Sequence, residues 1–191
     1  AIGKLGQALN FDGVNDYVNV QSPAILDNMR TVTYSVWMYP KSYGGSGLGR
    51  IYDKAQAAKG QIIFLCQTTT NCDGSISKSF AFWQDFVTTN GKWTAPTNSV
   101  SLNTWTHIAI TYNNPSGLIT VDPAIYINGT QVTVTKTITP AGAISDDSAN
   151  VATIGDKTEG TRTFDGLIDE VRVYNRALTT NEIATLYQSG A

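Results

Sequence analysis

From Leu167 to Tyr174 the side chains alternate, with Leu167, Asp169, Val171 and Val173 on one side and Ile168, Glu170, Arg172 and Tyr174 on the other. This is the two-residue repeat of a β-strand. The period then changes. Thr179 and Glu182 stand three apart, the spacing at which each side chain satisfies a free backbone N–H at a helix start. Ile183, Leu186 and Tyr187 follow at helical spacing and give the predicted helix one apolar stripe for docking. A strand, a tight connection and a short terminal helix should therefore close the chain. Upstream, Thr31 to Pro40 alternates as a strand and ends at a proline, which cannot donate to a ladder. Residues 50–54, 61–65, 80–87 and 104–112 also read as strands, and residues 6–20 read as strand, glycine-containing turn, strand. Asn90-Gly91 is a tight-turn signal. With β-branched runs such as Val132-Thr133-Val134-Thr135 and no long amphipathic period, the class is all-β.

Composition narrows the picture. At 191 residues, 41% hydrophobic and 15% charged, the chain is long enough for one well-buried domain, and neither an internal repeat nor a linker-like boundary divides residues 1–191. A formal net charge of -2 with scattered lysines leaves no basic field for a phosphate backbone, which argues against nucleic acid. No apolar run approaches the roughly 18 to 20 residues that span a bilayer, so no membrane insertion is expected. The sequence opens on Ala1-Ile2-Gly3-Lys4 without a secretory apolar stretch, as if a signal had been removed or one domain had been cut from a larger protein. Residues 41–49 form a glycine-rich loop, and no Gly-Lys-Ser/Thr follows to make it a phosphate cradle; a flexible surface loop is expected. Cys66 and Cys72 flank a polar segment suited to a hairpin tip. With no histidine nearby a metal cage is disfavoured, and a short disulfide loop is expected if the strands pair there; the alternative is two free thiols, one or both buried. A bridge would imply an exported, secreted or cell-surface protein.

The run from Phe164 to Leu178, Phe-Asp-Gly-Leu-Ile-Asp-Glu-Val-Arg-Val-Tyr-Asn-Arg-Ala-Leu, with Thr179 to Tyr187 behind it, resembles the C-terminal signature of LamG-like domains of the concanavalin A-like lectin/glucanase superfamily. Residues 6–20 resemble the opening motif, Thr31 to Pro40 the early core strand with its tryptophan, Trp105-Thr106-His107 the central Trp-x-His strand, and Tyr126-Ile127-Asn128-Gly129 the Tyr-x-Asn-Gly hairpin. The likeness runs from about Gly6 to Tyr187, with insertions in the middle. It implies a jelly-roll sandwich of two antiparallel sheets, and the Gly/Asn turns are independently consistent with that architecture. It also implies that Trp37, Trp105 and His107 are structural. In this superfamily the first and last strands are commonly neighbours with calcium where they meet, which nominates Asp169, Asp12, Asp16 and the carbonyl of Gly13 as a structural calcium site. The competing reading is that Asp12 and Asp16 are turn formers. A second acidic group, Asp146-Asp147 with Asn150 and Asp156, reads as a solvated loop before a metal site.

The superfamily includes glucanases and polysaccharide lyases, but glycosidases need two carboxyl groups facing each other about 5 to 10 Å apart. The three glutamates, Glu159, Glu170 and Glu182, fall in a loop, a strand and a helix cap, and His107 is the only histidine. Too few parts are present for an enzyme. Sugar binding needs an aromatic face beside amides and carboxylates. Trp83 with Gln84 and Asp85, Trp93 beyond the Asn90-Gly91 turn, and Tyr43 in the glycine-rich loop are the candidates. Asn128-Gly129-Thr130 also fits a glycosylation acceptor, although its hairpin role already explains it. The expectation is a non-catalytic, carbohydrate-binding, lectin-like module of an exported protein, with polysaccharide or glycan as partner. The alternatives are an adhesin, stalk or spacer domain with a protein partner and, behind it, a divergent glycoside hydrolase or polysaccharide lyase.

Overall fold

Short β-branched and aromatic runs between glycine and asparagine turns give thirteen strands in the computed structural model, which describes residues 1–56, 59–72, 74–117 and 121–190. The first sheet runs, in spatial order, β1 (Leu9–Asp12), β13 (Asp165–Tyr174), β3 (Thr31–Pro40), β8 (Thr106–Asn113), β9 (Ala124–Ile127) and β10 (Thr130–Val132). The second runs β11 (Thr135–Ile138), β7 (Gly91–Thr94), β6 (Ser79–Gln84), β5 (Gln61–Cys66), β4 (Arg50–Asp53), β12 (Ala152–Ile154) and β2 (Val18–Gln21). All pairings are antiparallel, and the two sheets make the expected jelly-roll sandwich. Val36, Met38, Ile108 and Ile110 from the first sheet meet Ile63, Leu65, Phe80, Phe82 and Trp93 from the second in one buried core.

The alternation expected along β13 does not hold throughout. Asp169 pairs with Trp37 and Arg172 with Ser35, so Glu170 and Val171 both stand opposite Val36 in a β-bulge, with Glu170 at φ 51°. The extra residue reverses the facing. Ile168 points into the core before the bulge, and Val171 and Val173 point into it afterwards. A strict two-residue count would have put Val171 and Val173 on the face opposite Ile168.

Other turns differ from their sequence signals for topological reasons. β1 and β2 do not pair with each other; the Asp12–Asp16 turn carries the chain from the edge of one sheet to the edge of the other. Residues 132–135 likewise leave β10 and enter β11 across the sandwich. Asn90-Gly91 is not a two-residue turn: Gln84 pairs with Gly91, and Asn90 Oδ1 closes the intervening loop by accepting the Phe86 amide at 3.0 Å. Asn128-Gly129 does form the β9–β10 turn, with φ of 49° and 76°.

The terminal helix, α2 (Thr180–Gln188), begins with the expected capping box between Thr179 and Glu182. Ile183 is buried against Ala109, Tyr126 and Leu178, and Tyr187 stacks on Trp37 with centroids 5.6 Å apart. α2 therefore covers the outer face of the first sheet. The cysteines are joined, but across a one-turn helix, α1 (Thr69–Cys72), instead of a hairpin tip. Closing so short a loop should contribute roughly 2 kcal/mol on chain entropy. Replacing both Cys66 and Cys72 by Ser should lower the free energy of unfolding by about that amount, read from urea titrations of the oxidised protein and the variant.

Candidate functional site

The second sheet keeps part of its outer face open. Ile62, Trp83 and Lys92 lie side by side on β5, β6 and β7, and Arg50 pairs with Phe64 across β4 and β5. These five side chains, with Leu48, Asn71 and Ile138 at the margins, line an open groove of about 270 Å³. Trp83 is half-buried, and its indole Nε1 donates to Asp85 Oδ1 at 2.6 Å, which fixes the ring. Arg50 and Lys92 both sit over the Phe64 ring, 4.9 and 5.3 Å from its centroid. Arg50 Nε donates to Asp53 Oδ2 at 2.8 Å, and Lys92 Nζ donates to the carbonyl of Asn71 at 2.7 Å. Burial pulls the Arg50 pKa down and pushes that of Asp53 up to about 6. One wall is α1, held by the disulfide and by Asn71 Nδ2 donating to Ser46 O at 3.4 Å.

Of the residues nominated for sugar contact, the groove contains Trp83. Trp93 is fully buried because it pairs with Phe82, and both point between the sheets; its Nε1 donates to Asp122 Oδ1 at 2.7 Å. It is a core residue. Gln84 is buried on the same inward side, accepting from Gln61 and donating to Gly60 O at 3.2 Å. Asp85 is buried and acts behind the groove, through Trp83. Tyr43 is also buried, its hydroxyl donating to Val100 O at 3.0 Å. The glycine-rich loop around it is tied down, since Gly45 N and Gly49 N donate to Thr163 O and Tyr43 O. Gly44, at φ +73°, lies so near Thr163 O that a Cβ there would come within 2.2 Å of it. Lys92, which the sequence places beside Trp93 as a companion, lines the groove with Trp83 instead, and Arg50 and Phe64 carry no sequence signal beyond membership of strands with an outward face.

The four nominated calcium ligands do not fit one ion. Asp12 pairs with Asp165 and Leu9 with Ile168, so Asp169 lies more than three residues, at least about 10 Å, farther along the β1–β13 ladder. Some of their oxygens also hold local hydrogen bonds. Asp12 Oδ1 accepts the Val14 amide at 2.8 Å, Asp16 Oδ2 the Asp12 amide at 3.0 Å, and Gly13 O the Thr163 hydroxyl at 2.7 Å. Asp169 accepts the amides of Leu5 and Glu170, both at 2.9 Å, and so pins the N-terminal segment. The second acidic group is divided as well. Asp147 and Asp27 neutralise the buried Lys54 ammonium, and Asn150 donates to the carbonyls of Lys54 and Gln56. Asp156 is buried elsewhere, with Oδ1 accepting the amides of Lys157 and Arg162. Among the described residues no three His, Cys, Asp or Glu side chains converge on a metal.

None of the glutamates lines the groove. Glu159 pairs with Lys157, Glu170 with Arg172, and Glu182 with Arg176. His107 lies on the opposite sheet beneath α2, its Nε2 2.9 Å from Ser35 Oγ and its ring 5.3 Å from that of Trp37. Trp105 packs half-buried on Tyr39. Among the described residues no helix is long and apolar enough to cross a membrane.

The chain is thus a two-sheet antiparallel sandwich with one outer face packed under a helix and a groove on the other. A family model described as the concanavalin A-like lectin/glucanases superfamily matches residues 12–184, and the chain belongs to that family. No curated protein matches the sequence. Among solved structures the chain is similar to a heptameric SAP-like pentraxin from Limulus polyphemus, at 18% identity and a TM-score of 0.65, over 98% of this chain and 84% of that one. It is also similar to domain 4 of an extracellular GH43 arabinanase from Geobacillus stearothermophilus, solved with arabinotriose, at 20% identity, TM-score 0.64, and 98% and 80% coverage. The binding domain of Paraclostridial mosquitocidal protein 1 matches at 20% identity and a TM-score of 0.69, over 99% of this chain and 45% of that one. At these identities the likeness is one of fold.

His107 gives the covered face a measurable signature. Burial lowers its pKa to about 4, so the folded protein keeps the imidazole neutral while the unfolded chain protonates it near 6.5. Between those values the unfolded state binds more protons, and stability falls as pH falls. The contribution is complete above pH 6.5 and shrinks by up to about 3 kcal/mol towards pH 4. The stability of the native protein minus that of a His107→Gln variant should rise from pH 4 to 6.5 and then level off, as measured by denaturant unfolding at a series of pH values.

Proposed function

We propose that this domain is a non-catalytic carbohydrate-binding module of an exported protein, and that the groove on the second sheet is its sugar site. The observation that carries this reading is the half-buried indole of Trp83, held by Asp85 at 2.6 Å in an open groove of about 270 Å³ beside Phe64 and Asn71. An apolar ring face with hydrogen-bonding neighbours suits the C–H and O–H faces of a pyranose or furanose. The arabinanase domain solved with arabinotriose supports the idea that this fold can serve sugar recognition. Among the described residues no carboxylate lines the groove, which supports binding without hydrolysis. The disulfide supports an oxidising compartment. Calcium has no assigned place in the reading, because the expected ligands are divided along the sheet.

The test is an array of soluble oligo- and polysaccharides probed with the native protein and two tryptophan variants. Trp83→Ala should abolish binding while shifting the melting temperature by only a few degrees. Trp93→Ala removes a fully buried ring and should cost about 3 to 5 kcal/mol of stability. Silence of the native protein across the array would overturn the sugar reading in favour of a protein-binding or spacer domain.

A further inference from the structure

Two cationic side chains, Arg50 and Lys92, line the groove. Arg50 and Lys92 approach the same phenyl ring from strands β4 and β7, so their charges lie within about 10 Å of each other. Both are largely withdrawn from water: the Arg50 side chain is 13% exposed and Lys92 is buried. Their known anchors leave binding capacity on Arg50. Among the described residues only its Nε is engaged, by Asp53, so the two Nη groups at the end of the guanidinium remain as a planar pair of donors. That geometry matches a carboxylate, which takes two parallel N–H donors from one arginine. Asn71, whose backbone carbonyl holds Lys92, lines the same margin.

We infer that the groove selects acidic glycans, with a sugar carboxylate seated on the Arg50 fork while the adjoining ring rests on Trp83. The inference rests on the sugar-site reading above and adds the charge of the ligand to it. Carboxylated sugars reach a protein mainly as uronic acids or as terminal sialic acids, and the same chemistry recognises either.

The experiment is isothermal titration calorimetry with matched pairs that differ in charge: tetragalacturonic acid against its methyl ester, and 3′-sialyllactose against lactose. In at least one pair the acid should bind ten times or more tightly than its neutral partner, and the margin should shrink in 0.5 M NaCl. Arg50→Gln should remove the preference, whereas Arg50→Lys should keep part of it. Because Arg50→Gln leaves the Asp53 carboxylate buried without its partner, the double variant Arg50→Gln/Asp53→Asn is measured beside it, with the same loss expected. Equal binding within each pair, or a charge preference that survives both glutamine variants, overturns the inference. If neutral sugars bind and Trp83→Ala abolishes that binding, the sugar site stands and only the acidic preference falls. If no sugar of either kind binds here or on the array, the site itself is wrong.

Discussion

The cross-strand register of β5, β6 and β7 decides which side chains of the second sheet meet solvent. Ile63, Phe82 and Trp93 are aligned across the three strands and point into the sandwich, while Ile62, Trp83 and Lys92 are aligned one residue away and point out. A shift of one residue in this pairing would exchange the two sets, placing a lysine in the core and phenylalanine on the surface. The apolar burial of Phe82 and Trp93, stacked 6.0 Å apart and joined by Tyr112, holds the register in place. The groove is the outward side of a choice made by the core.

The bulge in β13 does comparable work on the other sheet. By inserting one residue opposite Val36 it keeps Ile168 and Val173 on the core side and leaves Glu170 and Arg172 to the outer side. Trp37, Ser35 and His107 lie on that side beneath α2 and the N-terminal segment, where Tyr187 stacks on Trp37 and Lys4 approaches the same ring. Asp169 ties the segment down through the Leu5 amide. One face of the sandwich is thus spent on packing, and ligand chemistry falls to the other.

The groove combines an apolar floor with charges that would be costly if left alone. Phe64 shields both cations, Asp53 shares the Arg50 charge, and the bridged α1 segment supplies the carbonyl that holds Lys92. The wall that shapes the site is thus also the wall that orients its charge. A sugar reading and an ionic preference draw on the same side chains, which is why the matched neutral ligands separate them.

The sequence by itself determined the family, through the resemblance of its ordered motifs, and also the all-β class, the capped terminal helix, the Asn128-Gly129 turn and most strands, because these last rest on local periodicity or turn chemistry within a few residues. It also brought Cys66 and Cys72 together as candidates, although not the helix between them. Tertiary structure alone decided which of the two tryptophans faces the groove. Trp83 and Trp93 both sit in short strands flanked by polar residues, and only the pairing of Trp83 with Lys92 and of Trp93 with Phe82 separates them. Likewise the carboxylates of Asp12 and Asp169 look like partners when first and last strands are neighbours, yet the β1–β13 register sets Asp12 beside Asp165. Arg50 and Lys92, with two strands between them in the sequence, meet at Phe64 because β4, β5, β6 and β7 are consecutive in the sheet. Facing and register are relations between distant segments, fixed by which set of side chains the core can bury, and no local pattern contains them.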